Sequence, residues 1–308
     1  MKFDNTEILT AMVTPFDEKG ELSLTRLEKL INHLLATGTE GLLVNGTTGE
    51  GPTLEHDEKL ALIKAAAKII AGRVPLMVGT GSNNTKQTIA FTKEVAAIEG
   101  VDAALVVVPY YNKPNQKGMI AHFEAVADAS DLPIFIYNIP GRTGVTMEVA
   151  TVAKLAQHPN IIGIKDCTGN VGLAKLVEQT PADFLVYSGE DADALAAKAV
   201  GAQGIISVAS HIYGLEMQAM YQALAKGNLA EAASLMRALT PKMETLFSYP
   251  SPTPVKAALN HLGIEVGAAR LPLLALNDVE TKEVLAFSRT PPKGIIFIFA
   301  IITLLLEF

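Results

Sequence analysis

The chain has 308 residues, of which 49% are apolar, so it is long enough to bury a large core in one domain, or in one domain with an appendage. A net charge of −7 and the lack of any basic run exclude the electrostatic footprint that nucleic acids and anionic membranes attract. The single cysteine, Cys167, excludes an internal disulfide, and the N-terminus lacks a signal-peptide pattern. We therefore expect a cytoplasmic protein that binds neither nucleic acid nor membrane.

Apolar, β-branched runs of strand length occur eight times along the first two thirds of the chain. Their starts are separated by 21 to 34 residues, which leaves room for a helix between neighbours, and their continuous apolarity is typical of strands covered on both faces. The runs are ILTAMVT from residue 8, LLV from 42, PLMVG from 75, AALVVV from 103, PIFIYN from 133, IIGIK from 161, DFLVYS from 183 and GIIS from 204. The pattern predicts a parallel sheet.

The segments between the strands show helical spacing, as in Leu27, Leu30, Ile31, Leu34 and Leu35. Eight βα units predict an α/β fold, a (β/α)8 TIM barrel over residues 1–226. A doubly wound open sheet would more often show five or six strands and a Gly-rich dinucleotide turn after the first, and no such turn is present. We predict no cofactor. The scattered histidines also predict no metal site.

After Gly227 the strand pattern ends, and helical patterns follow near residues 228–247, 253–262 and 272–287. These predict a C-terminal helical domain over residues 227–308. An apolar tail from about residue 289 is too short for a transmembrane helix, which needs about 20 residues.

The carboxyl ends of barrel strands carry the active site in this fold, so the residues that close each run are the candidates for catalysis. Lys165 closes the sixth run, where a low dielectric favours a neutral, nucleophilic amine that can form an imine with a carbonyl compound. The alternative is a lysine that extends from the strand end into water.

Tyr137 is the penultimate residue of the fifth run, one strand away from Lys165. A phenol there can move the protons of carbinolamine formation, but its ordinary pKa near ~10 requires a relay, for which Thr47 and Tyr111 offer hydroxyl groups. The alternative is a core tyrosine with a satisfied hydroxyl.

Two further features suit carboxylates. The turn of Gly46, Thr47, Thr48 and Gly49 combines hydroxyl groups with accessible backbone N–H groups, and Arg142 follows the fifth strand with a planar guanidinium that can bind a carboxylate in bidentate fashion. Either feature alone also fits an ordinary turn or a solvated loop arginine. The asparagines at 83 and 84 are expected to cap the next helix rather than contact substrate.

Several strings of this chain resemble those of the pyruvate-dependent lyase and aldolase superfamily, and within it most of all the dihydrodipicolinate synthases. The strings are GTTGE at 46–50, VVPYYNKP at 107–114, YNIPGRTG at 137–144, GIKD at 163–166 and YSGED at 187–191. The resemblance implies a (β/α)8 barrel with C-terminal helices, and a lyase that condenses pyruvate with aspartate 4-semialdehyde in lysine and diaminopimelate biosynthesis.

The resemblance also implies roles for individual residues. Lys165 is the Schiff-base lysine and Tyr137 the acid/base, while Thr47 and Tyr111 complete the proton relay. In the family, the counterpart of Tyr111 reaches across a subunit interface, which implies a homodimer or, more usually, a homotetramer.

For substrate binding, the resemblance implies that Thr48 holds the carboxylate of pyruvate and Arg142 that of the aldehyde, with Gly189 and Ile206 as further substrate-binding residues. Gly141 stands where the family commonly has serine. Arg142 favours the synthases over sister lyases that act on 2-keto-3-deoxy sugar acids and usually lack this arginine. That sister activity and a non-catalytic, ligand-binding barrel remain the alternatives.

Some family members are inhibited by lysine, which binds at the dimer interface against a histidine and a glutamate. This chain has Lys59 and Gln87 at those two positions. A cation and a neutral amide in their place repel a cationic ligand and remove its counter-charge, so the resemblance implies an enzyme insensitive to lysine.

Overall fold

The computed structural model describes residues 2–288, in which eight parallel strands close into a barrel in chain order. Each strand pairs with the next along the chain, and the last pairs with the first. The strands are β1 Ile8–Ala11, β2 Gly41–Val44, β3 Leu76–Gly79, β4 Ala103–Val107, β5 Ile134–Asn138, β6 Ile161–Asp166, β7 Leu185–Ser188 and β8 Gly204–Ser207. All eight predicted strands and the predicted barrel are confirmed.

The strands are buried because side chains cover both of their faces. Every residue of β1, β2, β5, β7 and β8 is buried, which explains why the sequence shows continuous apolar runs rather than alternation. One set of side chains fills the interior of the barrel, and the other packs under the helices. The interior set is Phe3, Leu9, Ala11, Leu43, Met77, Ala103, Leu105, Phe135, Tyr137, Leu185, Tyr187 and Ile206.

Helices follow the strands as the spacing predicted. They are α1 Leu24–Ala36, α2 His56–Ile70, α3 Thr85–Ala96, α4 Gln116–Asp128, α5 Pro140–Thr143, α6 Val149–Leu155, α7 Asn170–Gln179, α8 Ala194–Ala199 and α9 Ser210–Ala225. In α1, the predicted apolar face is buried through Leu27, Leu30, Ile31 and Leu34. Asn84 caps α3 as predicted by accepting the N–H of Gln87, at 3.1 Å.

Three C-terminal helices follow the barrel, α10 Leu229–Thr245, α11 Thr253–His261 and α12 Asp278–Ser288. The predicted helices are confirmed, but the predicted start of the third, at residue 272, is wrong. The side chain of Asn277 accepts the N–H groups of Val279 and Glu280, at 2.9 and 3.0 Å, and the carboxylate of Glu280 accepts the N–H of Asn277, at 2.8 Å. This reciprocal cap begins the helix six residues later than the apolar pattern suggested.

The division into domains at residues 226 and 227 stays a prediction. The apolar tail from about residue 289 lies outside the described residues.

A buried histidine helps to close the barrel between its first and last strands. The Nε2 atom of His211, at the start of α9, accepts the N–H of Val13, at 3.1 Å, while Nδ1 lies 2.8 Å from the carbonyl oxygen of Val208. Because Nε2 is an acceptor here, the ring is neutral, and burial lowers the pKa of His211 to about 4. The histidine thus joins the segments that follow β1 and β8.

Candidate active site

A cavity of about 560 Å³ opens where β2, β3, β4 and β5 end. Three of the predicted site residues line it together: Thr47 from the turn after β2, Tyr137 from the end of β5, and Arg142 from α5. The carbonyl oxygen of Ile139 accepts the N–H groups of Arg142 and Thr143, both at 3.0 Å, and so fixes the backbone of α5 beside the cavity. The sequence thus correctly predicted that these side chains meet at one end of the barrel.

Lys165 lies beside this cavity, next to Tyr137, although it is not itself one of the lining residues. In the parallel ladder, Lys165 of β6 is in register with Tyr137 of β5 and with Tyr187 of β7, so the three occupy one layer of the barrel interior. The Nζ atom of Lys165 lies 4.7 Å from the centre of the Tyr137 ring, and only 5% of the lysine is exposed. The amine therefore does not extend into water, which was the alternative left open by its position at a strand end.

Thr47 and Tyr137 line the cavity together, and the Thr47 side chain acts weakly to lower the pKa of the Tyr137 phenol, against the larger effect of burial, which raises it. Thr47 is exposed to the cavity whereas Tyr137 is buried, so the pair connects the cavity to the buried side chain of Lys165. This arrangement can carry a proton between the cavity and the neighbourhood of the amine.

Two opposing effects act on the pKa of Lys165. Burial, the largest single effect, lowers it as predicted, whereas the negative charges that four neighbours carry when they are ionised raise it, and together these charges place the pKa above its ordinary value. In decreasing order of effect, these neighbours are Tyr137, Cys167, Asp191 and Glu190. Since the sequence did not indicate which acids surround the lysine, it could not predict this balance.

Two of these neighbours are protonated near neutral pH, because burial raises the pKa of the Tyr137 phenol and of the Cys167 thiol. The carboxylates of Asp191 and Glu190 are then the charges that oppose burial of the lysine. Near neutral pH, burial and these two carboxylates therefore act in opposite directions on Lys165, and its amine can attack a carbonyl group only in the unprotonated form.

Asp191 is a site residue that the sequence reasoning missed. It lies just after β7, where its carboxylate accepts the hydroxyl of Ser207, at 2.5 Å, and the N–H groups of Val208 and Ala209, at 3.0 and 2.9 Å. Burial raises the pKa of Asp191, and these three hydrogen bonds and the charge of Lys165 act in the opposite direction. The string YSGED contained this residue, but nothing in the string indicated which acidic side chain turns inward.

The sequence reasoning also missed a hydrogen-bonded pair, Asn138 and Asp166, which connects the ends of β5 and β6. Asn138 follows Tyr137, and Asp166 follows Lys165, in register with each other across the ladder. The amide of Asn138 donates a hydrogen bond to the carboxylate of Asp166, at 2.8 Å, and both residues are buried. This bond ties β5 to β6 one residue beyond the tyrosine and the lysine, and so limits their relative movement.

Gly189 lies against the catalytic lysine. A Cβ atom at this position would stand 2.4 Å from Sγ of Cys167 and 2.7 Å from Cε of Lys165, so a side chain does not fit without displacing one of them. Ile206 is fully buried in the barrel interior, in the same apolar cluster as Tyr137. Both residues therefore shape the surroundings of Lys165 and Tyr137.

Two predicted site residues lie elsewhere in the single chain. Thr48 is buried and is not among the residues that line the cavity, and Tyr111 is 88% exposed and also lies outside it. Asn83, expected to cap α3, instead donates its amide to the carbonyl oxygen of Tyr110, at 3.2 Å. Residues that are neighbours in the sequence need not both line the cavity, because successive loop residues point in different directions: Thr47 and Tyr110 line it, whereas Thr48 and Tyr111 do not.

The outer wall of the cavity is formed by α2 and α3, and it includes Lys59 and Gln87. It also includes Glu94, whose carboxylate lies 2.9 Å from Nε2 of His56. The sequence reasoning counted the loss of negative charge at Gln87 but did not consider Glu94, because seven residues separate them along α3. The outer wall therefore retains one carboxylate beside the cation of Lys59.

A sequence model of the Dihydrodipicolinate synthetase family matches residues 4–289. The chain belongs to this family. A relative from Ligilactobacillus salivarius, described as 4-hydroxy-tetrahydrodipicolinate synthase, is 68% identical over 283 residues, which are 92% of this chain and 98% of the relative.

Solved structures of family members agree. A dihydrodipicolinate synthase from Bacillus anthracis superposes with a TM-score of 0.92 at 46% identity, covering 94% of this chain and 99% of the other. One from Cyanidioschyzon merolae, solved with lysine bound, superposes with a TM-score of 0.89 at 40% identity, covering 92% and 97%. These comparisons favour the synthase branch over the sugar-acid lyase and the non-catalytic barrel.

Within residues 2–288, none of the helices combines the length and the apolarity needed to cross a membrane. The same part of the chain contains no group of three or more histidine, cysteine, aspartate or glutamate side chains placed to hold a metal ion.

Proposed function

We propose that this enzyme condenses pyruvate with L-aspartate 4-semialdehyde through a Schiff base on Lys165, giving 4-hydroxy-tetrahydrodipicolinate for lysine and diaminopimelate biosynthesis. The observation that carries the proposal is the buried amine of Lys165 beside the Tyr137 ring, at 4.7 Å, with Tyr137 and Thr47 both lining the cavity. An imine needs an amine, a ketone and a proton carrier, and this layer of the barrel supplies the first and the last.

The reaction begins when Lys165 loses a proton and its amine attacks the ketone carbon of pyruvate. The resulting carbinolamine loses its hydroxyl group as water after protonation, which leaves the imine. Tyr137 accepts and returns these protons, and Thr47 connects it to the cavity. Because burial raises the pKa of Tyr137, the phenol is a poor free acid at neutral pH and acts as a shuttle within the relay.

The methyl group of the imine then loses a proton to give an enamine, whose carbon forms the new bond to the aldehyde carbon. As this bond forms, the C=O double bond of the aldehyde opens, its oxygen takes up a proton to become the hydroxyl group of the product, and the enamine returns to an imine. The amino group of the second substrate next attacks the imine carbon, releases the Lys165 amine and closes the ring. Lys165 thus returns to its starting state, as a covalent catalyst must.

The two substrate carboxylates are assigned to different residues. Arg142, exposed in the cavity, binds the carboxylate of the aldehyde, and Thr48 with the backbone of its turn binds that of pyruvate. Gly189 and Ile206 complete the pyruvate side, because the first leaves space beside Lys165 and the second packs in the cluster that holds Tyr137.

Tyr111 completes the relay from a neighbouring subunit, which makes the enzyme a homotetramer, arranged as a dimer of dimers, or a homodimer. Tyr111 has a left-handed backbone, with φ +71°, and its side chain is almost fully exposed in the single chain. Because an exposed aromatic ring is costly in water, this exposure supports a contact with another chain. Sedimentation of the purified enzyme distinguishes the two assemblies. We place the enzyme in the cytoplasm.

Trapping tests the central step. Incubation with pyruvate and borohydride should add about 72 Da to the intact mass, the mass of the reduced three-carbon adduct, and peptide mapping should place it on Lys165. Lys165→Ala should form no adduct and lose nearly all activity, whereas Tyr137→Phe should lose about 10²- to 10⁴-fold in kcat and still form the adduct slowly. An adduct on another lysine would refute the proposal.

A further inference from the structure

The turn that carries Thr47 is bounded by strained backbone on both sides. Asn45 and Glu50 both adopt left-handed backbone conformations, with φ of +54° and +55°. Residues other than glycine are uncommon in this region, and a glutamate is rarer there than an asparagine. Within the turn, the N–H of Glu50 donates to the carbonyl oxygen of Thr47, at 3.0 Å. The position of Thr47 therefore depends on whatever holds Glu50 in place.

Glu50 is held by an ion pair with the C-terminal helices. Its Oε1 atom lies 2.6 Å from Nζ of Lys256 in α11, and both side chains are only 2% exposed. Its Oε2 atom accepts the N–H of Arg270, at 2.8 Å, and Nζ of Lys256 also donates to the carbonyl oxygen of Ala268, at 3.0 Å. The carboxylate is thus bound by two points of the segment that follows the barrel.

The same segment is fixed to the barrel at a second place. The guanidinium of Arg270 binds both carboxylate oxygens of Glu58, at 2.7 and 2.5 Å, and donates to the carbonyl oxygen of Thr53, at 3.0 Å. It lies 4.3 Å from the centre of the Phe16 ring, on which Nζ of Lys256 also packs, at 4.2 Å. These contacts hold Lys256 and Arg270 in place beside Glu50, the residue that ends the turn.

We infer that Glu50 and Lys256 are positioning residues of the catalytic site, which hold the side chain of Thr47 in the cavity that it lines together with Tyr137. A buried ion pair is rarely the most stabilising choice at a site, because apolar residues of similar volume often serve as well. The pair here provides direction, because the Glu50 carboxylate forms an ion pair with Lys256 through one oxygen and accepts the backbone N–H of Arg270 through the other. These two contacts fix the left-handed residue that ends the turn. The C-terminal helices are then part of the catalytic apparatus.

The inference rests on the proposed proton relay through Thr47, and a double-mutant cycle separates the two. Glu50→Gln keeps the shape of the side chain but removes its charge, and we expect kcat to fall about tenfold or more, as for a small misplacement of a catalytic group. In a Thr47→Val background, the same Glu50→Gln substitution should change kcat less than twofold, because its effect passes through the Thr47 hydroxyl.

Lys256→Met should reproduce the loss in kcat, and Lys256→Arg, which retains the charge, should recover most of it. If Glu50→Gln fails to fold, Glu50→Asp, which keeps the charge on a shorter side chain, takes its place in the cycle. Thermal unfolding of every variant sets an assay temperature at which all are folded.

A matched control removes another lysine from an ion pair. Nζ of Lys198 lies 2.7 Å from the carboxylate of Glu7, at the opposite, amino end of the barrel. Lys198→Met should lower the unfolding temperature but leave kcat within twofold of wild type.

Equal kcat losses from Glu50→Gln with and without Thr47 would overturn the inference, as would wild-type kcat in folded Glu50→Gln. Failure of the wild-type enzyme to form a pyruvate adduct on Lys165 would instead overturn the proposed function.

Discussion

The space beside Lys165 gives the sharpest test of the site geometry. Gly189→Ala adds one methyl group, and its Cβ atom would stand 2.7 Å from Cε of Lys165 and 2.4 Å from Sγ of Cys167. Ordinary contact begins near 3.4 Å, so the lysine must retreat by about 0.7 Å unless the backbone moves instead. Because a displacement of about 1 Å in a reacting group can cost about 10²-fold, we expect the rate of pyruvate trapping to fall between tenfold and a hundredfold.

The same methyl group overpacks a buried region, so we also expect a loss of about 1 to 3 kcal/mol in the free energy of unfolding. The assay measures adduct formation on Lys165 by intact mass after borohydride quenching at timed intervals, alongside kcat. Gly141→Ala is the matched control, because a Cβ atom there meets nothing within 4 Å. Wild-type trapping by folded Gly189→Ala would refute the claim that this glycine leaves space for the lysine.

Three further predictions concern other parts of the molecule. Arg142→Ala should raise KM for the aldehyde by roughly one to two decades, because a charge-assisted hydrogen bond contributes about 1.5 to 3 kcal/mol. Pyruvate trapping should stay intact, and its loss would place Arg142 at the carboxylate of pyruvate. Millimolar lysine should leave initial rates unchanged at saturating and at limiting pyruvate, because Lys59 repels a cation and Gln87 offers no counter-charge; clear inhibition would contradict this prediction. The pKa of His211 is about 4 in the folded protein and about 6.5 in the unfolded chain, so its contribution to the free energy of unfolding is present above pH 6.5 and is lost as pH falls towards 4. Urea titrations should show that the wild type loses about 3 kcal/mol more of its free energy of unfolding over that interval than His211→Gln does. Equal losses in the two proteins would contradict this prediction.

The strands were predictable because each is apolar along its whole length, and the candidate catalytic residues were predictable because parallel strands bring their carboxyl ends together. Tyr137 and Lys165 stand at the ends of neighbouring runs, so the sequence predicted that they lie at the same end of the barrel, and the ladder shows them in register. What the sequence could not provide was contact between distant segments. The ion pair of Glu50 with Lys256 joins residues more than two hundred positions apart, and no local pattern indicates which lysine meets which glutamate.

Electrostatics were equally hidden. The charge of Lys165 depends on Asp191, whose inward orientation is set by hydrogen bonds to Ser207 and to the backbone after β8. The third C-terminal helix was misplaced for a related reason, since the apolar pattern extends past the cap at Asn277 that decides where the helix starts.

The residues proposed for catalysis and the residues proposed to decide the response to lysine line the same cavity, but they belong to different structural elements. Thr47, Tyr137 and Arg142 are held by the barrel strands and the segments that directly follow β2 and β5, whereas Lys59 and Gln87 lie on α2 and α3, whose outward-facing positions accept new side chains without disturbing the strand register. A lineage can therefore gain or lose a response to an effector by a few substitutions on two helices, at little risk to turnover. For an inhibitor, the same arrangement means that one molecule can carry a keto-acid group directed at Lys165 and a second group directed at the wall formed by α2 and α3. The second group can then be changed without changing the reactive one.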